Sequence, residues 1–173
     1  NSLWIVGGTI PIQTEDESRI RSACIVYNDQ GQQVARYDKI HLFDACIRKG
    51  VEEYRESNTV EPGKTLTVID TPFGKLGLGV CHDLRYPEMF RYLMNQGAEI
   101  IAVPTAFATK TGQAHWEILA RSRAIENLCY ALYACQTGTH APGRNTHGHS
   151  MIVSPWGEIL EEILDEAGFI TAA

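Results

Sequence analysis

Cys81 lies in the run Gly77-Leu78-Gly79-Val80-Cys81-His82-Asp83-Leu84-Arg85-Tyr86-Pro87-Glu88, between an apolar strand-like stretch and a helix-like one. A thiol at such a corner is braced by a sheet on one side and open to substrate on the other, which is what a covalent nucleophile needs. A cysteine among small apolar residues also serves as inert core filling, so the position alone leaves both readings open. Lys39 sits in Tyr37-Asp38-Lys39-Ile40-His41-Leu42-Phe43, at the end of a strand. If Ile40, Leu42 and Phe43 desolvate it, its ammonium can act as an electrophilic donor or proton shuttle beside a thiol; otherwise it is a surface lysine paired with Asp38. Glu56 is either a solvated loop charge or a group that orients Lys39 or substrate. The backbone N–H of His82, next after the thiol, is placed to face a developing oxyanion.

The charges around these groups have plainer readings. Asp83, Arg85 and Glu88 read as structural, with Arg85 pairing a carboxylate and Glu88 in the first turn of a helix, where negative charge is favoured. His115-Trp116-Glu117 opens a second helix, along which Arg121, Arg123 and Glu126 read as helix ion pairs. His140, His147 and His149 cluster in a Gly/Pro-containing loop without an acidic or thiol partner at ligand spacing, so a polar loop explains them better than a metal. Cys129 and Cys135 read as core residues of a strand, and Cys46 as an exposed thiol with nothing to activate it. There is no Walker loop, Rossmann glycine fingerprint or acidic metal cluster.

The elements that must position these groups follow from patterning. Leu3–Ile10 is a dense apolar run that reads as a buried strand, and residues 13–19 as a loop. Ser22–Tyr27 and Gln33–Tyr37 are strands joined by the turn Asn28-Asp29-Gln30-Gly31. Residues 44–64 are polar and irregular, predicting a long and functional loop. Leu66–Asp70 and Lys75–Val80 are strands around the turn Thr71-Pro72-Phe73-Gly74, and the glycines alternating with Leu76, Leu78 and Val80 call for close approach on one face. Tyr86–Gln96 predicts a helix with Pro87 in its first turn, and Ile100–Pro104 a short buried strand. Ala114–Leu128 predicts a helix with Ala114, Ile118, Ile125 and Leu128 on its apolar side. Tyr130–Gln136, Ser150–Val153 and Glu158–Ile163 complete the strands, with a further apolar strand begun in the tail from Glu166. The order is α/β layering with several antiparallel neighbours.

At 173 residues this is one domain, 1–173, and both ends read as cut within the fold. With 44% hydrophobic and 21% charged residues it falls in the ordinary globular range. A net charge of -6 argues against a nucleic-acid partner, and no apolar run is long enough to cross a bilayer. Five cysteines without CxxC spacing suit free thiols in a reducing compartment, with the cytoplasm as the default.

Taken in order, these blocks resemble the nitrilase (carbon–nitrogen hydrolase) superfamily nearly end to end. The resemblance is carried by Gly7-Gly8-Thr9-Ile10-Pro11, the Lys39 block through Asp44, Arg55-Glu56-Ser57 with Pro62-Gly63, and the Cys81 block. It continues in Thr111-Gly112-Gln113-Ala114-His115-Trp116-Glu117, in Arg121-Ser122-Arg123-Ala124-Ile125-Glu126-Asn127, and in Gly148-His149-Ser150-Met151-Ile152-Val153 with Pro155-Trp156-Gly157. The blocks are most similar to the Nit branch, which contains omega-amidases and deaminated-glutathione amidases. That resemblance implies a four-layer α-β-β-α sandwich, partial here, with a Glu-Lys-Cys triad. Cys81 is then the nucleophile, and Lys39 holds the tetrahedral intermediate with the His82 N–H. Glu56 matches the supporting glutamate, and His115 and Arg85 are candidate substrate contacts. The triad glutamate belongs to a segment upstream; Glu15 and Glu17 lie downstream of the Gly-Gly strand and do not match it. His82 departs from the residue usual after the cysteine.

The implied reaction is hydrolysis of a small carboxylate-bearing amide through a Cys thioester, without metal or organic cofactor. Homodimers form in the family through helices near the active-site loops, which makes residues 114–128 and 140–148 candidates. The alternatives are an N-carbamoyl amidase or nitrilase of the same family, or an incompetent fragment or binding module lacking the base.

Overall fold

The computed structural model describes residues 3–48, 52–141 and 143–173. It divides into two compact units, one up to Thr67 and one from Val68 on. In the first, β1 (Ile5–Gln13), β2 (Ile20–Tyr27) and β3 (Gln33–Asp38) form an antiparallel sheet in that order. The continuous run Ala23–Val26 explains the central place of β2, since all four side chains are buried. The β2–β3 turn is where the Asn-Asp-Gln-Gly signal puts it; Asn28 Oδ1 accepts the N–H groups of Gln30 and Gln32.

Two expectations for this unit need correction. The opening run is a strand but not a buried one, because Leu3, Ile5 and Ile10 are exposed. An apolar edge strand calls for cover without supplying it. The long loop predicted over 44–64 contains a hairpin instead: β4 (Asp44–Arg48) pairs antiparallel with β5 (Glu52–Arg55), followed by a 3₁₀ turn at Glu56–Asn58. Residues 49–51 lie outside the described residues. The hairpin has no apolar alternation to announce it; a Phe43–Tyr54 ring contact (4.8 Å) and the bonds from Ser57 to Asp44 secure it instead. Beyond it, Gly63 donates to Lys39 O at 2.8 Å. A Cβ there would fall 2.0 Å from Asp38 O, so only glycine allows the two backbones to meet.

The second unit is built on a six-stranded mixed sheet. Its elements are β6 (Val68–Thr71), β7 (Gly74–Leu78), α1 (Pro87–Asn95), β8 (Ile100–Ala102), α2 (Thr109–Asn127), β9 (Tyr130–Tyr133), β10 (Thr137–His140), β11 (Arg144–His147), β12 (Ser150–Val153) and β13 (Ile159–Ile163). The sheet order is β13-β12-β9-β8-β7-β6, with β7, β8 and β9 parallel and the outer pairs antiparallel. Pro87 starts α1, and its Met89, Phe90 and Leu93 are buried. The close approach expected at the glycines of β7 is made by this helix: a Cβ on Gly77 would meet Leu93 at 3.2 Å. No helix of the described residues is long and apolar enough to cross a membrane.

α2 differs from its prediction in start and in face. It begins at Thr109, earlier than the sequence indicates, since Thr-Lys-Thr-Gly carries no start signal to be read. The side read as apolar points outward, with Ile118 70% and Leu128 78% exposed. The buried face is Gly112, Trp116, Ala120, Arg123, Ala124 and Asn127. Small residues let the helix lie close to the sheet, where Tyr133 Oη donates to Ala120 O and its ring meets Trp116 edge-on. Apolar periodicity alone misses that arrangement, since two of the six inward residues are polar. The loop expected around 140–148 is the hairpin β10–β11, with Pro142 outside the described residues. Residues 164–173 form no strand, and Phe169 is exposed. A strand needs a partner backbone as well as apolar side chains.

Candidate active site

Cys81 stands where the parallel sheet ends. β7 closes at Leu78, but Gly79 N still donates to Ala102 O (3.1 Å) and Cys81 N to Pro104 O (3.0 Å). The ladder therefore runs up to the thiol's own residue before the chain turns. Cys81 has φ +48°, a left-handed conformation that costs a non-glycine residue ~1 kcal/mol or more. It opens the 3₁₀ turn Cys81–Arg85. The turn is pinned from both sides. The fully buried Asp83 accepts the Val80 N–H through Oδ2 (2.8 Å), while Asp83 N donates back to Val80 O (3.1 Å). From α2, the buried Arg123 donates Nε to Leu84 O at 2.9 Å, pairs with Glu126 at 2.6 Å and lies over the Phe90 ring. A strained, partly exposed cysteine at a strand-to-helix corner has the build of a nucleophile elbow. Asp83 fills the structural place expected of it. Arg123 was legible only as a helix ion pair; its reach to Leu84 O depends on how α2 packs.

Arg85, four residues after the thiol, is half-buried. Its Nη2 lies 3.2 Å from His115 Nδ1, and its guanidinium sits over the Phe107 ring at 5.5 Å. Burial lowers its pKa, and the negative charge of a Cys81 thiolate opposes that shift, so the guanidinium is within electrostatic reach of the sulfur. The carboxylate pairing expected for Arg85 is not made among the described residues. The His115 imidazole stands there instead, because α2 starts early enough to carry it alongside the turn. The His82 ring packs edge-on against Tyr86.

Within the first unit, the structure joins Lys39 and Glu56. Lys39 is 4% exposed, and its Nζ lies 2.5 Å from Glu56 Oε2. The same oxygen accepts the Phe43 N–H at 2.6 Å. Glu56 can reach because β5 ends at Arg55 and the 3₁₀ turn swings it back over Phe43, whose O accepts the Glu56 N–H at 3.3 Å. The surface pairing of Lys39 with Asp38 is not formed; Asp38 is engaged by Arg36 and Arg21. A desolvated ammonium held by one carboxylate is an oriented positive charge rather than a solvated one.

The remaining thiols and imidazoles have other occupations. Burial pushes Cys24 and Cys129 up to about 12, with the Glu126 charge adding to the shift at Cys129. Burial raises Cys135 as well, against a hydrogen bond with Ser150. Both Cys129 and Cys135 flank β9 rather than lying in it. Cys46 is exposed, with Sγ 3.7 Å from Glu53 Oε1. His140 Nε2 lies 2.7 Å from Thr146 Oγ1, and the His147 and His149 rings stack at 4.0 Å. Burial, then the neighbouring His149, lowers the His147 pKa.

A model of the carbon–nitrogen hydrolase family matches residues 1–173. A deaminated glutathione amidase of Yersinia enterocolitica is 52% identical over 159 residues, which is 91% of this chain and 56% of the relative. An omega-amidase of Homo sapiens is 37% identical over 169 residues, 98% of this chain and 60% of the relative. The chain thus spans little more than half the length of these relatives. A solved structure from Saccharomyces cerevisiae, a member of branch 10 of the nitrilase superfamily, superposes with a TM-score of 0.83 at 35% identity. It is matched over 95% of this chain and 56% of its own. The α/β fold expected for the chain is the fold of that structure.

Proposed function

The chain belongs to the carbon–nitrogen hydrolase family, in the Nit-type branch of the nitrilase superfamily, and we propose that it is a thiol-dependent amidase for a small amide bearing a carboxylate. The observation that carries the reading is the Cys81 elbow, a strained, braced and partly exposed thiol at the end of a parallel sheet. In this reading the Cys81 sulfur attacks the amide carbonyl, and the carbonyl oxygen takes up the negative charge. The Lys39 ammonium and the His82 N–H stabilise that charge, and Glu56 holds Lys39 in place. The C–N bond then breaks, nitrogen leaves as ammonia with the proton given up by the thiol, and water hydrolyses the thioester. The proton carrier in this reading is a carboxylate base, the glutamate that a Glu-Lys-Cys triad implies. No step calls on a metal or organic cofactor. The five free thiols favour a reducing compartment such as the cytoplasm.

Arg85 supports the choice of substrate class. It is a half-buried guanidinium beside the thiol, with an imidazole and an aromatic face as its neighbours. A carboxylate is the ligand that such a group lacks. Ammonia release by the full-length protein should be measured over ω-amides, deaminated glutathione, carbamoyl amino acids and nitriles. Release confined to carbamoyl compounds or nitriles would refute the amidase assignment. Arg85→Met is expected to raise KM for succinamate ~10-fold or more while changing butyramide hydrolysis little, since a charged hydrogen bond contributes about 1.5–3 kcal/mol. Equal effects on both amides would remove the carboxylate from the proposal.

The outward face of α2, with Ile118, Ile125 and Leu128 exposed, favours self-association as a homodimer. Sedimentation velocity is expected to give a dimer that Ile118→Lys converts towards monomer. A monomeric parent protein would exclude the assignment.

A further inference from the structure

We propose that Thr105 contacts the reacting amide, accepting an N–H of its nitrogen through the side-chain hydroxyl. The inference rests on the amidase reading and adds a catalytic residue to it. The β7–β8 register runs Leu76↔Ile100, Gly77↔Ile101, Leu78↔Ala102. The bonds Gly79 N→Ala102 O and Cys81 N→Pro104 O carry the same offset three residues further, which places Thr105 opposite Cys81 on the neighbouring strand line. Adjacent strands lie ~4.8 Å apart, so these two residues are side by side at the C-terminal ends of parallel strands, where open α/β sheets bind their ligands. Thr105 also bridges in parallel to Cys135 on its other side.

The backbone of Thr105 is fully used: its N–H donates to Ala134 O and its O accepts from Gln136 N, both at 2.9 Å. Its side chain is not. The residue is 7% exposed, and Oγ1 is one of two buried side-chain polar atoms without a hydrogen-bond partner among the described residues. The other, Asn127 Oδ1, lies near the end of α2. A buried hydroxyl left unsatisfied costs about 1–3 kcal/mol, so one that persists beside a nucleophile has a partner to meet there. The chemistry of the site supplies it. On the amidase reading, Lys39 and the His82 N–H serve as donors to the carbonyl oxygen. An amide nitrogen brings N–H groups that need an acceptor if its lone pair is to be turned towards the incoming proton. A threonine hydroxyl can accept there.

The test compares a primary amide with its ester, because only the amide offers an N–H. Full-length wild type, Thr105→Val and Thr105→Ser are assayed for kcat/KM on succinamate and on monomethyl succinate. Expected is a fall of ~10-fold in the amide-to-ester ratio for Thr105→Val, the worth of about one hydrogen bond, with Thr105→Ser within about threefold of wild type. Equal losses on amide and ester, or no loss, would overturn the assignment and leave the hydroxyl bonded to a buried water. A wild type that hydrolyses the ester but releases no ammonia from any amide would overturn the amidase reading itself.

Discussion

Cys81→Ala is expected to cut ammonia release by at least ~10⁴-fold while leaving the fold intact, as removal of the nucleophile does in other triad hydrolases. The fold should survive because the thiol is partly exposed and the corner is held by other groups. Asp83 caps Val80, Arg123 grips Leu84 O, and the bond from Cys81 to Pro104 O comes from the backbone N–H, which alanine keeps. The shift in stability should stay within ~1 kcal/mol, the range of substitutions that open no cavity and break no network. Alkylation gives an independent readout. Cys24 and Cys129, raised to about 12 and buried, remain protonated at neutral pH, and Cys135 is raised as well. In a Cys46→Ser background, iodoacetamide should therefore label one of the four remaining thiols fast, and Cys81→Ala should remove that label along with the activity. An alanine variant that turns over like its parent would remove Cys81 from the mechanism.

What the sequence revealed of this site was local, and what it hid was tertiary. The corner at Cys81 is readable because strand, turn and helix signals follow one another within a dozen residues. The bracing of that corner is not, because Arg123 meets Leu84 from a helix whose inward face is set by Trp116, Ala120 and Ala124 rather than by Ile118 and Ile125. Apolar periodicity picks the larger side chains, and here close packing favoured the smaller ones. Lys39 and Glu56 were each legible as candidates, but their contact spans 17 residues and depends on a hairpin without apolar alternation. Thr105 offered no signal beyond its place after a short strand. Its position beside Cys81 exists only once β7 and β8 are paired in register.

The Lys39–Glu56 pair yields an asymmetric expectation. Removing the carboxylate by Glu56→Ala leaves an ammonium that is 4% exposed with no counter-charge among the described residues, and breaking a buried pair from that side costs about 3–5 kcal/mol. Removing the ammonium by Lys39→Met leaves a carboxylate whose side chain is 23% exposed and which still accepts the Phe43 N–H. Water reaches that group, so the cost should be smaller, about 1–2 kcal/mol. Glu56→Gln, which keeps acceptors for both Lys39 and Phe43 while losing the charge, should fall between them. Urea denaturation of the three full-length variants orders them. Lys39→Met as the least stable would show that the ammonium, not the carboxylate, is the solvated partner. Activity should follow a different order. If Lys39 supplies charge to the oxyanion, Lys39→Met loses kcat by ~10³-fold or more despite being the milder lesion in stability. That separation cannot arise from unfolding, because the variant that folds better would be the one that catalyses worse.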